Sequence, residues 1–170
     1  TGEAATERLL EIAERENDVV EKSGATILPA FQRNITLKNI GFSYGDKTVL
    51  SDVSLQANQR EIIALVGASG AGKTTLVNLI IRFMDASTGT IKIDGTDISD
   101  VTLSSLRHQV SVVSQETFLF NTTLAQNIAY GNPNALKQDI EQAAQAACAH
   151  EFINELENGY ETIVGERGIT

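Results

Sequence analysis

The stretch Gly67-Ala68-Ser69-Gly70-Ala71-Gly72-Lys73-Thr74 decides the fold, because it fits the phosphate-binding pattern G-x-x-x-x-G-K-[ST]. Five apolar residues at positions 62–66 precede it and predict a strand that is buried on both faces. The segment 74–83 that follows has apolar residues at helical spacing, namely Leu76, Leu79, Ile80 and Phe83. A strand, a glycine-rich loop and a helix in this order direct backbone N–H groups toward a polyphosphate. The sequence therefore predicts a nucleotide-binding site.

The glycines and the lysine of this loop have separate roles. Gly67, Gly70 and Gly72 let the chain adopt positive φ values and approach phosphate closely. Lys73 is a compact cation that suits the β- and γ-phosphates. We expect these four residues to hold the triphosphate.

The remaining loop residues complete the site. The hydroxyl of Thr74 is placed to ligate Mg²⁺, and Thr75 is expected to form a hydrogen bond to a phosphate. Ser69 and Ala71 lie in the loop, where their backbone, and not their side chains, is required.

Composition limits the class of protein. The 170 residues are enough for one domain with a substantial core, and no apolar run reaches the ~18 residues that span a bilayer. A net charge of −9 argues against nucleic-acid binding. The single cysteine, Cys148, excludes an internal disulfide, and no His/Cys cluster suggests a metal site. The acidic, polar N-terminus does not fit a signal peptide, and because the first residue is Thr1 we expect the chain to be either processed or a piece of a longer one.

Hydrophobic periodicity predicts the other elements. Residues 1–22 are expected to form an amphipathic helix centred on 7–16, followed by a linker. The two-residue period shifts phase around Asn39, which predicts a β-bulge or a strand break. Further strands are predicted at 35–44, 49–57, 90–93 and 110–114, and further helices at 103–107, 123–129, 136–147 and 152–156.

Three features stand in a fixed order along the chain. The aromatic Tyr44 precedes a tight turn, the phosphate loop follows, and Gln115 ends an apolar segment forty residues after Thr75. Three later segments add to this ordered set: Leu119-Phe120-Asn121, Asn127-Ile128-Ala129-Tyr130-Gly131 and Val164-Gly165-Glu166-Arg167-Gly168. Together they resemble the nucleotide-binding domain of an ABC transporter of the exporter type, and within that type the bacterial lipid A and multidrug exporters. The resemblance covers nearly the whole chain.

The resemblance implies the fold class and the domain organisation. The fold would be α/β, with a P-loop NTPase (RecA-like) core, an antiparallel β subdomain and the start of an α-helical subdomain, incomplete at the C-terminus. Residues 1–30 would be a helix and linker after an absent transmembrane domain, and 31–170 the N-terminal part of the ATP-binding domain. Within that part, 31–115 would form the β and P-loop core and 116–170 the helical subdomain.

The resemblance also implies roles for individual residues. Tyr44 would stack on the adenine, since an aromatic face suits a flat base. Lys73 and Gln115 would act in catalysis, and Gln115, with Thr74, would contact Mg²⁺. Glu166 would contact the membrane domain. The implied ATP-binding residues are Tyr44, Gly67, Ser69, Gly70, Ala71, Gly72, Lys73, Thr74, Thr75 and Gln115.

The sequence ends before three motifs of the family, the Leu-Ser-Gly-Gly-Gln signature, the Asp-Glu pair after a buried strand and a switch histidine. The Asp would hold Mg²⁺ and the Glu would polarise the attacking water. We therefore expect the chain to bind MgATP without hydrolysing it. We also expect the segments at 62–66 and 110–114 to lack a neighbouring strand, which favours aggregation.

The resemblance implies partners and a location for the parent protein. It would couple ATP binding and hydrolysis to export of a lipid or amphipathic substrate, through a head-to-tail pair of ATPase domains and a transmembrane domain. It would lie at the cytoplasmic face of the bacterial inner membrane, while the fragment itself would be soluble.

Two other functions remain open from the residues alone. A P-loop kinase would need substrate-binding arginines and a GTPase would need an Asn-Lys-x-Asp motif, and neither is evident. A non-enzymatic fragment that retains only the fold is the other alternative.

Overall fold

The computed structural model describes residues 19–114 and 118–165. They fall into two compact units that divide between Ser111 and Val112. The predicted helix at 7–16, together with Gln115 and Glu166, lies outside the described residues.

A four-stranded antiparallel sheet forms the first unit. Its strands are β1 (Asn34–Tyr44), β2 (Lys47–Asn58), β3 (Thr88–Ile93) and β4 (Thr96–Asp97), in the spatial order β2-β1-β3-β4. Alternating apolar residues place one face of each long strand toward the core. The phase shift predicted near Asn39 is confirmed, because Asn39 has a φ of 51° and the β1–β2 register shifts between Leu37 and Ile40.

One helix packs its apolar side on this sheet. Helix α1 (Lys73–Ile80) contributes Leu76 and Leu79 to a buried cluster with residues of β1, β2 and β3. A 3₁₀ turn (Ile98–Asp100) and helix α2 (Leu103–Arg107) close the same core. The remaining members of the buried cluster are Leu28, Leu37, Ile40, Phe42, Leu50, Ile91, Ile93, Ile98, Val101 and Leu106.

The carboxylate of Asp94, at the β3–β4 turn, holds the start of β1. It accepts hydrogen bonds from the backbone N–H groups of Gln32 (2.6 Å), Arg33 (2.8 Å) and Asn34 (2.8 Å). Burial raises the pKa of Asp94, but these donors and the Arg33 charge outweigh it, so the pKa lies below its usual value. The ionised carboxylate therefore stabilises this turn.

The prediction of strands at 62–66 and 110–114 is wrong. Neither segment is a strand in the structure, and Ile62, Val66 and Val113 are 95%, 93% and 98% exposed. A strand is defined by hydrogen bonds to a neighbouring strand, and no strand in the described part of the chain pairs with either segment. An apolar sequence alone therefore does not produce the predicted buried strand.

Helix α1 is shorter than the predicted segment 74–83. It ends at Ile80, and Phe83 is exposed beyond it. The cause is Arg82, whose φ of 54° is left-handed and incompatible with a continuing right-handed helix.

The second unit is mainly helical, as predicted. It contains α3 (Leu124–Ile128), α4 (Lys137–Ala146) and α5 (His150–Glu155), and each end lies one residue from the prediction except the start of α5, which lies two residues earlier. Two short antiparallel strands, β5 (Thr122–Thr123) and β6 (Ile163–Val164), pair with each other. None of the helices in the described residues has the length and apolar character that crossing a bilayer requires.

Candidate nucleotide-binding site

Two glycines shape the loop that precedes α1. Gly70 and Gly72 have φ values of 79° and 84°, in the region that favours glycine. Gly67 does not have a positive φ, so that part of the prediction is wrong. A Cβ atom added to Gly72 would lie 2.7 Å from Leu50 Cδ2 and 3.1 Å from Val49 Cγ1. Position 72 therefore requires glycine for two reasons: its left-handed backbone conformation and the close packing of the loop on β2.

Lys73 closes the loop on itself. Its Nζ atom donates hydrogen bonds to the carbonyl oxygens of Gly67 and Ala68, each at 2.8 Å. A turn bond from Ala71 N–H to Ala68 O, at 3.2 Å, narrows the loop further. Two carbonyl groups of the loop thus contact the Lys73 ammonium, which places a positive charge at the loop where the sequence predicted the phosphates to bind.

The start of α1 adds a second source of positive potential. The first N–H groups of a helix have no intrahelical acceptor, and the helix dipole makes this end positive. The cap residue Gly72 has no side chain to accept these donors, and the first turn holds no acidic residue. Within the described structure, this end of α1 can therefore receive an anion without competition from a carboxylate of its own.

Tyr44 lies beside the first turn of α1. Its Oη atom is 3.5 Å from Thr75 Oγ1 and 3.6 Å from Met84 Sδ. Its ring packs edge-on against Phe42, with centroids 4.8 Å apart, and half of the residue's surface stays exposed. The fold thus joins two predicted site residues, Tyr44 and Thr75, that are 31 positions apart in sequence.

Of the other predicted site residues, the structure describes Ser69, Thr74 and Thr75 but not Gln115 and Glu166. Ser69 and Thr74 are exposed at the loop and at the first turn of α1, whereas Thr75 is buried. Gln115 and Glu166 lie outside the described residues, so their roles stay predictions.

Sequence analysis missed the residues that support the loop. Val49 and Leu50 contact Gly72 from β2, and Arg82 is buried just beyond α1. These contacts join residues that are distant in the chain, and hydrophobic periodicity does not report them. The only local signal was an arginine three residues before Asp85, the spacing of an ion pair.

A profile of the ABC transporter family matches residues 50–167. The chain belongs to this family. Its similarity extends to the ATP-dependent lipid A-core flippases of Syntrophus aciditrophicus, 47% identical over 98% of this chain, and Desulfotalea psychrophila, 46% identical over the same share. A putative multidrug export ATP-binding/permease protein of Bacillus subtilis is 45% identical over 98% of the chain.

A solved structure of a bacterial Atm1-family ABC exporter with ATP bound is also similar, with a TM-score of 0.89 and 37% identity over 98% of this chain. The chain spans only 28% to 29% of the length of these relatives and of that exporter chain. The fold is therefore that of the P-loop NTPase domain of ABC exporters, and the chain is related to lipid A flippases. The P-loop kinase and GTPase alternatives are set aside by this membership.

Proposed function

We propose that this chain is the ATP-binding part of an ABC exporter and that residues 67–75 bind MgATP. The observation that carries the proposal is the loop geometry, in which the Lys73 ammonium and the positive end of α1 converge on one short segment. Both features favour a polyphosphate over a neutral ligand. Family membership and the ATP-bound exporter structure support the same ligand.

Lys73 and the loop backbone would hold the phosphates. The two carbonyl groups that Lys73 contacts are neutral acceptors, and a charged phosphate oxygen is a stronger acceptor for an ammonium. Lys73 would therefore turn from Gly67 and Ala68 toward the β- and γ-phosphates. The N–H groups at the start of α1 would bind the same oxygens.

Thr74 and Gln115 would hold Mg²⁺, which offsets negative charge on the phosphates when it is bound. Thr74 fits this role because its side chain is exposed at the first turn of α1. Gln115 would also orient water, and it would report nucleotide occupancy to the residues that follow it. Its role, like the contact of Glu166 with a membrane domain, is proposed from the resemblance alone.

Tyr44 would stack on the adenine. Its ring is half exposed, its hydroxyl is directed toward Thr75, and its contact with Phe42 fixes its orientation. A base beside this ring would lie next to the triphosphate, as a nucleotide requires.

Turnover and transport belong to the proposed parent protein. The 170 residues contain neither a Leu-Ser-Gly-Gly-Gln motif nor an adjacent Asp-Glu pair, so we propose that they bind MgATP without hydrolysing it. The parent would export a lipid or amphipathic substrate, with a second ATPase domain and a transmembrane domain as partners at the cytoplasmic face of the membrane. The names of the flippase and multidrug-export relatives support this proposal.

Calorimetric titration with MgATP tests the proposal. We expect Lys73→Ala to weaken binding at least tenfold, because the ammonium is the charged group of the loop, while the exposed Lys38→Ala retains wild-type affinity. Equal affinity in Lys73→Ala and the wild type would refute the assigned site. A steady-state ATPase rate well above background that disappears in Lys73→Ala would refute the absence of turnover.

A further inference from the structure

Residues 20–28, here called the docking segment, lie along residues 97–105 of the same unit. Thr26 forms a parallel bridge with Val101, through hydrogen bonds from Thr26 N–H to Asp100 O (3.0 Å) and from Thr102 N–H to Thr26 O (2.9 Å). Leu28 is buried in the hydrophobic core, and its N–H donates to Ser105 Oγ at 2.9 Å. The segment is therefore fixed by backbone bonds and by a core side chain.

Charged side chains hold the beginning of the docking segment. Lys22 Nζ lies 2.6 Å from Asp100 Oδ1 and 2.8 Å from Ser99 Oγ. Glu21 Oε1 accepts a hydrogen bond from Leu103 N–H at 2.6 Å, at the first residue of α2. Both contacts are exposed, so they can be removed by substitution without opening the core.

Arg82 connects this segment to α1. The side chain is 2% exposed and follows the last residue of the helix, Ile80, by two positions. Its guanidinium donates to the carboxylate of Asp85 (2.8 Å), the carbonyl of Ile98 (3.3 Å) and the carbonyl of Val20 (3.1 Å). A buried charge is costly unless hydrogen bonds compensate it, so release of the docking segment would remove the Val20 carbonyl as an acceptor and leave one donor of the buried guanidinium unpaired.

Arg107 holds the same end of α1 from α2. Its Nη2 donates to Arg82 O at 2.7 Å and its Nε to Ile81 O at 3.4 Å, and its guanidinium lies over the Phe83 ring at 5.2 Å. The carboxyl end of α1 is therefore linked to α2, whose first residue bonds to the docking segment through Glu21.

We propose that Arg82 is a positioning residue that couples the docking segment to the nucleotide site through α1. The helix has eight residues and is about 12 Å long, with the phosphate loop at its amino end and Arg82 just beyond its carboxyl end. Order imposed at one end reduces the freedom that ligand binding must remove at the other, so docking of residues 20–28 and binding of MgATP strengthen each other. The nucleotide half of this proposal rests on the proposed function, whereas the link between the segment and α1 does not.

Hydrogen exchange without nucleotide tests the link itself. Lys22→Ala removes an exposed contact, and Lys38→Ala is the matched control on β1. We expect Lys22→Ala to speed exchange at the Leu28 and Leu103 amides, which report docking, and at the Ile81 and Phe83 amides, which report the end of α1. Faster exchange at the first pair with none at the second, or unchanged exchange at Leu28, would overturn the proposal.

Affinity for MgATP in a double-mutant cycle tests the coupling. We expect Lys22→Ala and Arg82→Lys each to weaken binding about fivefold, and the double variant to bind no more weakly than Arg82→Lys alone, because both act through one connection. Arg82→Lys keeps the charge but cannot reach three acceptors at once. MgATP should also slow exchange at Leu28 and Leu103 in the wild type.

The outcomes separate the two proposals. Wild-type affinity in Lys22→Ala, together with faster exchange at Leu28, would overturn the coupling and leave nucleotide binding intact. A wild-type chain that does not bind MgATP would refute the proposed function and the coupling with it, while the exchange result would still decide the link between the docking segment and α1.

Discussion

Replacement of Gly72 by alanine tests the geometry of the loop most sharply. Gly72 has a φ of 84°, and an added Cβ would lie 2.7 Å from Leu50 Cδ2 and 3.1 Å from Val49 Cγ1. The first property is a cost of backbone conformation, and the second is a cost of packing. Gly70 has nearly the same φ, 79°, but nothing lies within 4 Å of its added Cβ. Gly70→Ala is therefore a matched control that carries only the backbone cost.

The two contributions can be estimated separately. A left-handed conformation costs an alanine roughly 1–2 kcal/mol, which applies to both variants. Overpacking against Leu50 and Val49 adds about 1–3 kcal/mol in Gly72→Ala alone. The smaller entropy of the unfolded chain offsets about 0.4–1 kcal/mol, equally in both variants. We therefore expect Gly72→Ala to be less stable than Gly70→Ala by about 1–3 kcal/mol.

The assay is urea unfolding followed by far-ultraviolet circular dichroism, with the free energy of unfolding compared between variants. Leu50→Ala itself opens a cavity in the core, so the packing clash is measured as a coupling: Gly72→Ala should cost less stability in the Leu50→Ala background than in the wild type, since the atom nearest to the new Cβ is then absent. Equal stability of Gly72→Ala and Gly70→Ala would show that the loop does not pack on β2 as described.

Three further predictions concern other parts of the chain. The pKa of Asp94 is lower in the folded than in the unfolded chain, so the ionised carboxylate stabilises the protein at neutral pH, and this contribution disappears as the pH falls through the lowered pKa. Between pH 7 and 3 the melting temperature should therefore fall more steeply in the wild type than in Asp94→Asn. Parallel curves for the two proteins would contradict this prediction. Tyr44→Ala should weaken MgATP binding about tenfold, because loss of an aromatic contact costs about 1–1.5 kcal/mol. Tyr44→Phe keeps the ring and should keep the affinity. If calorimetry finds no loss of affinity in Tyr44→Ala, Tyr44 does not stack on the base. Val113→Ser should change the free energy of unfolding by less than about 0.5 kcal/mol because Val113 is 98% exposed, and a loss above about 1 kcal/mol would show that this segment is buried as the sequence suggested.

Local signals predicted much of the fold. The position of α1 followed from a glycine loop before a helical pattern, and the bulge at Asn39 followed from a change of phase in a two-residue period. Helix α2 matches its predicted bounds because Thr102 caps its first turn, accepting a hydrogen bond from Ser105 N–H at 3.3 Å. In each case residues close together in the sequence determine the element, and the structure refines only its end points.

The failures have a different origin. Residues 62–66 have the composition of a buried strand, but pairing depends on a neighbouring strand that local sequence cannot supply. The end of α1 was misplaced because Arg82 takes a left-handed conformation, and it is stabilised by contacts with Val20 and Ile98 far away in sequence. For the candidate site, residue types indicated the glycine loop and the family resemblance indicated Tyr44, and their binding roles stay predictions; the packing of Leu50 against Gly72 was not predictable from local sequence.

The central claim is that the backbone N–H groups of the loop and the start of α1, together with Lys73, bind a triphosphate. The most direct measurement is a ¹⁵N nuclear magnetic resonance titration of the chain with MgATP, with AMP as the control ligand. The account predicts that MgATP shifts the amide resonances of Gly70, Gly72, Lys73 and Thr74 most strongly and that AMP, which lacks the β- and γ-phosphates, does not. Saturable binding of MgATP that leaves these four resonances in place would contradict it.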